Sequence, residues 1–323
     1  MQTLIGKNIC EAKRFLEQGD VIAVPTETVY GLAANANIES AVRKIFEIKN
    51  RPFTNPVILH FHNQAQMTPY IKEIPKTLKA LADAFWPGPF TLLLEKTEIV
   101  SNKITAGNAR VAVRIPSNPT FLELLKTLDY PLAAPSANPY GKISPTSAQH
   151  VFDYFDTKIP FILDGGRCHT GIESTIVGLE QDKVVIYRYG TISPEQIKNI
   201  IGYWPIVQNL SINKVPEASG MVLHHYAPDT PCYVFKAQDH TDWNPHYGYI
   251  LFRKNAPTLE ESENIVYLSN TQNENEAAAR LYEIMHSFDQ KKFAKIFIEL
   301  LPDSGIGLAI NDKILRASAK YKA

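Results

Sequence analysis

Cysteine and tryptophan are scarce, with three of each among 323 residues, and the 33 basic and 33 acidic side chains cancel. Cys10, Cys168 and Cys232 are odd in number and far apart. That fits a reducing compartment better than a disulfide framework, so the expected location is the cytoplasm. A net charge of zero removes the broad pull on which non-specific nucleic-acid binders rely. No apolar run approaches the roughly 20 residues of a membrane helix, and no signal pattern precedes Asn8, so no membrane partner is expected. There is no Gly-x-x-x-x-Gly-Lys-Ser/Thr loop, and Gly305-Ile306-Gly307 lacks a third glycine. Neither a P-loop nor a Rossmann fingerprint is therefore present. A Gly-x-Ser-x-Gly elbow is also missing. What is left, at 45% apolar and 20% charged residues, is an ordinary globular composition.

What is there is a series of short apolar runs, each ending in a polar cluster. Val21-Ile22-Ala23-Val24 reads as a buried strand, and Pro25, which cannot donate to a ladder, ends it. The next residues, Thr26-Glu27-Thr28-Val29-Tyr30-Gly31, crowd two hydroxyls, a carboxylate and a phenol into a strand-end loop, where α/β sheets bind ligands. Lys49-Asn50-Arg51-Pro52 and Asn55-Pro56 precede the strand Val57 to Phe61. Pro52 pushes Arg51 towards an extended backbone, so Lys49 at a helix end and Arg51 beyond it converge on one anion. Two solvated charges at a helix C-terminus would read the same way. Arg110 and Arg114, four apart on a strand, share a face about 13 Å apart and suit two ends of one extended ligand, or else two surface ion pairs. Ser136 and Asn138 follow the strand at Leu132, and Glu173-Ser174 opens another. His60 and His62 alternate on their strand, but no third ligand at a recognisable spacing supports zinc, and His60 fits a neutral hydrogen-bond partner for substrate. No metal-ligating set is predicted.

Punctuation gives the organisation. Helices are predicted from Ile9 to Gln18, Ser40 to Lys49, Pro75 to Phe85, Pro119 to Leu128, Pro145 to Phe155 and from Ser193. With the intervening strands they make an α/β fold on a mixed sheet over residues 1–203. Residues 204–231 read as a linker. Residues 232–323 read as a smaller α/β domain, with strands at Cys232, Tyr247, Asn264 and Phe293 and helices at Asn275 to Phe288 and Asp312 to Ala319.

Together, Lys49-x-Arg51, Ser136-x-Asn138, the Thr26 to Tyr30 loop and Gly171-Ile172-Glu173-Ser174-Thr175 resemble the signature motifs of the YrdC-like family, the threonylcarbamoyl-adenylate synthases. His225-Tyr226-Ala227-Pro228 resembles the linker of the family's long form, which carries an extra Rossmann-like C-terminal domain. The resemblance implies a YrdC-like twisted mixed sheet and condensation of L-threonine, bicarbonate or CO2 and ATP, with Mg²⁺ accompanying ATP and pyrophosphate released. A downstream transferase would carry the product to tRNA beside the anticodon, with a weak tRNA contact by this chain. By motif, threonine contacts would be Thr28, His60, Arg114, Ala134 and Ser174. ATP contacts would be Arg51, Asn55, Arg110, Ser136, Asn138, Ser144, Arg188 and Tyr226, and Lys49 and Arg51 would act on the transition state. The chain departs from the commoner linker pattern at Ala218-Ser219-Gly220-Met221, where proline and basic residues are missing. An RNA-binding module without turnover, or a related carbamoyl-adenylate chemistry, are the alternatives.

Overall fold

A computed structural model describes residues 2–208, 225–235, 243–253 and 262–321. The strands in chain order are Leu4–Gly6 (β1), Ile22–Val24 (β2), Gly31–Asn35 (β3), Ile58–His60 (β4), Phe90–Glu95 (β5) and Arg110–Arg114 (β6). Leu132–Ala133 (β7), Phe161–Leu163 (β8), Thr175–Glu180 (β9), Lys183–Arg188 (β10) and Ile206–Val207 (β11) follow. They form one 11-stranded sheet in the order β1-β8-β2-β3-β7-β4-β6-β5-β9-β10-β11. The sheet is mixed: β4 and β6 run parallel, whereas β2 and β3, and β5 and β6, run antiparallel.

The side-chain alternation of these strands decides where the site lies. Ala23, Leu59, Leu92, Val113, Val177 and Ile186 point to one face, a continuous core under the helices Glu39–Lys49, Lys76–Phe85 and Ala148–Phe155. The opposite face is apolar only at its two ends. Ile22, Val24 and Ala33 pack at one end with the helices Ile9–Glu17 and Pro119–Lys126. Ile58, Leu93, Ala112, Ile176 and Tyr187 pack at the other. His60, Thr91, Arg114 and Ser174 belong by parity to this second face.

Several predicted elements shift. The Pro25 to Leu32 stretch is a loop only as far as Tyr30; Gly31 begins β3, which pairs back on β2. The helix predicted from Pro145 begins at Ala148, capped by Ser147, because the Pro145 carbonyl accepts the Tyr30 N–H (2.9 Å). Ile206–Val207, read as linker, pairs parallel with β10. The divergent linker residues Ala218 to His224 lie outside the described residues.

The second domain is a 4-stranded parallel sheet of Cys232–Phe235 (β12), Tyr247–Arg253 (β13), Ile265–Ser269 (β14) and Lys295–Glu299 (β15), in the order β12-β15-β13-β14. Its helices are Glu274–Gln290 and Gly307–Ala319, the latter starting earlier than the predicted Asp312. Their core is not confined to this domain: Val29, Ile143, Ile172 and Tyr226 pack into it beside Ala277, Ala278, Leu281 and Tyr282. The second domain therefore covers the polar gap of the large sheet. Gly171 (φ 78°) is what allows the approach: a Cβ there would lie 2.3 Å from the Ala278 carbonyl oxygen and 2.4 Å from the Ala279 Cα. Gly171→Ala combines left-handed strain with a clash against helix backbone. It is expected to destabilise the protein by about 2–4 kcal/mol and to expose the interdomain seam to limited proteolysis. A wild-type melting curve and digestion pattern would contradict this account of the interface.

Candidate active site

The gap holds a cavity lined by Thr26, Thr28, Val29, Tyr30, Gly31, Ile58, His60, Arg114, Ala134, Pro135, Ser136, Glu173, Ser174, Arg188, His225 and Tyr226. The loop is held by its own hydroxyls. Thr26 Oγ1 accepts from the Thr28 (3.0 Å) and Val29 (3.1 Å) N–H groups and lies 2.7 Å from Thr28 Oγ1. Thr28 Oγ1 in turn accepts from Arg114 Nη1 (3.1 Å).

Arg114 is 3% exposed and forms an ion pair with Glu27, 2.7 Å from Nη2 to Oε1. Its Nε donates to the Gly88 carbonyl (3.2 Å), and Glu27 Oε2 accepts the Ser117 N–H (3.1 Å). Burial would raise the Glu27 carboxyl, but the Arg114 charge and these hydrogen bonds outweigh it and hold it below the usual carboxylate range. His60 faces Arg114 from β4; burial, with the Arg114 charge adding, takes its imidazole down to about 3. It is neutral, and its Nδ1 has no hydrogen-bond partner.

Arg188 comes from β10 by way of a bulge. Tyr187 and Arg188 together occupy the space between Val177 and Ile176 on β9. Without the extra residue, Arg188 would share the Ile186 face; the bulge turns it into the cavity. There its Nε and Nη2 donate to the Ser174 carbonyl (3.0 Å) and Oγ (2.9 Å), and Ser174 Oγ also meets Thr91 Oγ1 (2.7 Å).

Of the other expected phosphate-side residues, Ser136 and Tyr226 line the cavity, whereas Lys49, Arg51, Asn55, Asn138 and Ser144 lie around it. The helix Glu39–Lys49 ends at Asn50 in the left-handed region (φ 52°), and the Arg51 N–H closes on the Phe46 carbonyl (2.9 Å). Arg51 then donates from Nε to the Asn55 carbonyl (3.0 Å) and from Nη2 to Asn55 Oδ1 (2.8 Å). Lys49 Nζ donates to the Ser136 and Asn138 carbonyls, so it ties the two signature dyads together. Among the described residues no carboxylate pairs with Lys49, and burial, reinforced by the Arg51 charge, drops its ammonium well below the usual lysine range. Burial likewise brings Arg51 down to about 10, with the Arg188 charge contributing. Ser144 is fully buried and donates to Glu173 Oε1 (2.6 Å).

Arg110 is not brought to the cavity. It shares the Arg114 face as expected, but its Nη1 donates to the Leu179 carbonyl (3.1 Å) and to Tyr187 OH (2.8 Å). His60 and His62 also part: His62 follows the strand and bonds Gln66 Oε1 (2.9 Å). Glu27, Glu173 and His225 were not singled out by sequence as site residues. Glu27 follows Thr26 and Glu173 precedes Ser174, and that adjacency was the available signal.

His225 and Tyr226 roof the cavity. Tyr226 (φ 67°) stacks on Tyr282 at 5.7 Å, and the two roof rings meet at 4.2 Å. Burial pushes Tyr226 up and His225 down, so both are neutral. Tyr226 OH and His225 Nδ1 have no hydrogen-bond partner. Under this roof the cavity is about 30 Å³, room for little more than a water or two. Among the described residues no group of three His, Cys, Asp or Glu is placed to hold a metal ion, and no helix is long and apolar enough to cross a membrane.

Residues 14–190 match the profile of the Sua5/YciO/YrdC family, described as "Telomere recombination". Residues 192–319 match the C-terminal domain of threonylcarbamoyl-AMP synthase. The threonylcarbamoyl-AMP synthase of Bacillus subtilis is 37% identical over 321 residues, covering 96% of this chain and 92% of its own length. That of Pyrococcus abyssi is 37% identical, covering 95% of this chain and 93% of its own. The crystal structure of P. abyssi Sua5 complexed with L-threonine superposes with a TM-score of 0.87 at 34% identity, over 98% of this chain and 97% of that one.

Proposed function

We propose that this chain, which belongs to the Sua5/YciO/YrdC family in its two-domain form, is an L-threonylcarbamoyladenylate synthase. The observation that carries the reading is the cavity itself. Arg114 and Arg188 line it with three unpartnered buried polar atoms, His60 Nδ1, His225 Nδ1 and Tyr226 OH, and a single carboxylate, Glu173. Such a lining favours a small, polar and anionic ligand.

Threonine would lie at the Thr28, His60, Arg114, Ala134 and Ser174 end, its carboxylate towards Arg114 and its hydroxyl towards the neutral His60. The amine adds to CO2 derived from bicarbonate and gives a carbamate. A carbamate oxygen attacks the α-phosphorus of ATP, pyrophosphate leaves, and one water is released from the bicarbonate. Negative charge gathers on phosphate oxygens, which Lys49, Arg51 and Arg188 would balance, with Asn55, Ser136, Asn138 and Ser144 as further nucleotide contacts. Arg110 has a part only if its bonds to Leu179 and Tyr187 open. Magnesium belongs to this reading as the counter-ion that ATP brings, substrate and not resident cofactor. ATP cannot fit beneath the closed roof, so His225 and Tyr226 must lift for it and then shut out water, which would hydrolyse the carbamate. The free thiols of Cys10, Cys168 and Cys232 support a cytoplasmic setting, where a transferase would take the product on to tRNA.

Pyrophosphate release from ATP and bicarbonate is the test. Release should depend on L-threonine, and serine, one methyl smaller, should be slower by about 10–200-fold in kcat/KM. Folded protein that releases no pyrophosphate with threonine refutes the reading.

A further inference from the structure

We propose that the C-terminal domain sets the nucleotide side of the site, with Tyr282 and Glu173 as positioning residues, and leaves the threonine side to the first domain. The inference rests on the assignment of ATP and threonine made above and adds a division of labour to it. Tyr282, on the helix Glu274–Gln290, donates its hydroxyl to Glu173 Oε2 (2.9 Å). Glu173 Oε1 accepts from Ser144 (2.6 Å), and the same helix reaches the Ser144 carbonyl a second time through His286 Nε2 (3.1 Å). The Tyr282 ring supports Tyr226. Lys313, on the helix Gly307–Ala319, sits 5.4 Å from the Tyr226 ring and donates to the Tyr189 carbonyl (3.0 Å), next to Arg188. Ser144, Arg188 and Tyr226, three of the assigned ATP contacts, are thus braced by the second domain.

Among the described residues, no side chain of the second domain hydrogen-bonds Thr28, His60, Arg114, Ala134 or Ser174, although Val29 beside Thr28 packs into its core. Arg114 bonds Glu27, Thr28 and Gly88, the His60 ring lies against Phe121 (5.6 Å), and the Ala134 N–H bonds the Ile58 carbonyl (2.9 Å). All of these belong to the first domain.

Glu173 is the joint between the two halves. It is 5% exposed, is the one acidic residue among those lining the cavity, and no Lys, Arg or His forms an ion pair with it among the described residues. Two neutral hydroxyls alone fix its orientation, each through a charge-assisted hydrogen bond. Removing one frees the carboxylate to turn and takes Ser144 with it.

Tyr282→Phe deletes the hydroxyl and keeps the ring under Tyr226. Binding of α,β-methylene-ATP and of L-threonine would be titrated separately, alongside KM for each substrate and a melting curve. The expected result is a nucleotide Kd and KM about tenfold higher, the scale of one lost hydrogen bond to a charged group. Threonine binding should stay within about twofold. Glu173→Gln, which cannot accept from both hydroxyls, should move the same two quantities, and the double variant should be no worse than the poorer single one. Unchanged analogue binding in both variants, or a parallel loss for threonine and nucleotide, overturns the inference. Wild-type protein that takes up no analogue overturns the nucleotide assignment beneath it instead.

Discussion

Replacing Arg114 by alanine is expected to abolish threonine-dependent turnover and to lower stability by about 3–5 kcal/mol, the usual effect of stripping one partner from a buried ion pair. Glu27, 1% exposed in the native protein, would keep only the backbone N–H groups of Ser117 and its own residue to stabilise it. The loss should depend on pH with a definite sign. In the native protein the Glu27 carboxyl titrates below its unfolded value. The stability this provides is present above the unfolded pKa and fades as pH falls through the folded one. In the variant, burial acts unopposed and lifts the carboxyl, so protonation rescues it. Urea unfolding at pH 7 and pH 4.5 should therefore show a larger gap between wild type and Arg114→Ala at pH 7. Equal gaps, or a wild-type midpoint in the variant, would refute the account.

Mild acid should destabilise the wild-type protein well before its carboxylates matter. His60 and His286 are buried and held down at about 3, chiefly by desolvation, with the Arg114 charge acting on the first and His150 on the second. His225 is also driven well below its ordinary value by burial and by Arg51, Lys49, Arg316 and Arg188. The unfolded chain binds protons near pH 6.5 that the native chain refuses. Stability is therefore full above that pH and falls as pH drops through 6.5 towards 3. At pH 5 His60 and His286 each account for about 2 kcal/mol, together a large share of a typical total stability of roughly 5–15 kcal/mol, and His225 acts in the same direction. Midpoints of urea unfolding should fall steadily between pH 7 and 5. His286→Gln, which keeps a donor for the Ser144 carbonyl, should flatten the slope by one proton's worth. A pH-independent midpoint over that range would show that these rings are not buried neutral.

How much of this could be read beforehand depends on how local the signal is. The helix Ile9–Glu17 is written in Asn8, Gly19 and the apolar spacing between them, and Ser193-Pro194 with Gln196 gives a capping box that the structure contains. β3 was hidden because Gly31-Leu32-Ala33-Ala34-Asn35 is made of small residues with little strand propensity; pairing with β2 and β7 makes it a strand. The candidate site residues are visible as motifs, but their bonds are not. Arg114 meets Glu27 across 87 positions and Tyr282 meets Glu173 across 109. The bulge that aims Arg188 leaves no mark in Val185-Ile186-Tyr187-Arg188, which alternates like any strand. Arg110, on the right face of the right strand, stays with Tyr187 for a reason that only the β9–β10 hairpin supplies.

Val29, Ile143 and Ile172 belong to the first domain by position and to the second by burial. In effect the C-terminal domain is a subunit that the chain carries with it, and the catalytic face is its docking surface. Each of those side chains is worth about 1.5–3 kcal/mol while covered and becomes a liability once bare. A chain cut after residue 208 would be a first domain with a sticky wound over its active face, more prone to self-association than to catalysis. Proteins that manage with the first domain alone must carry polar residues at these three places or borrow a cover from another chain. For the same reason the two halves cannot be exchanged piecemeal among relatives: whichever second domain is grafted on must bring a helix flat enough to lie against Gly171.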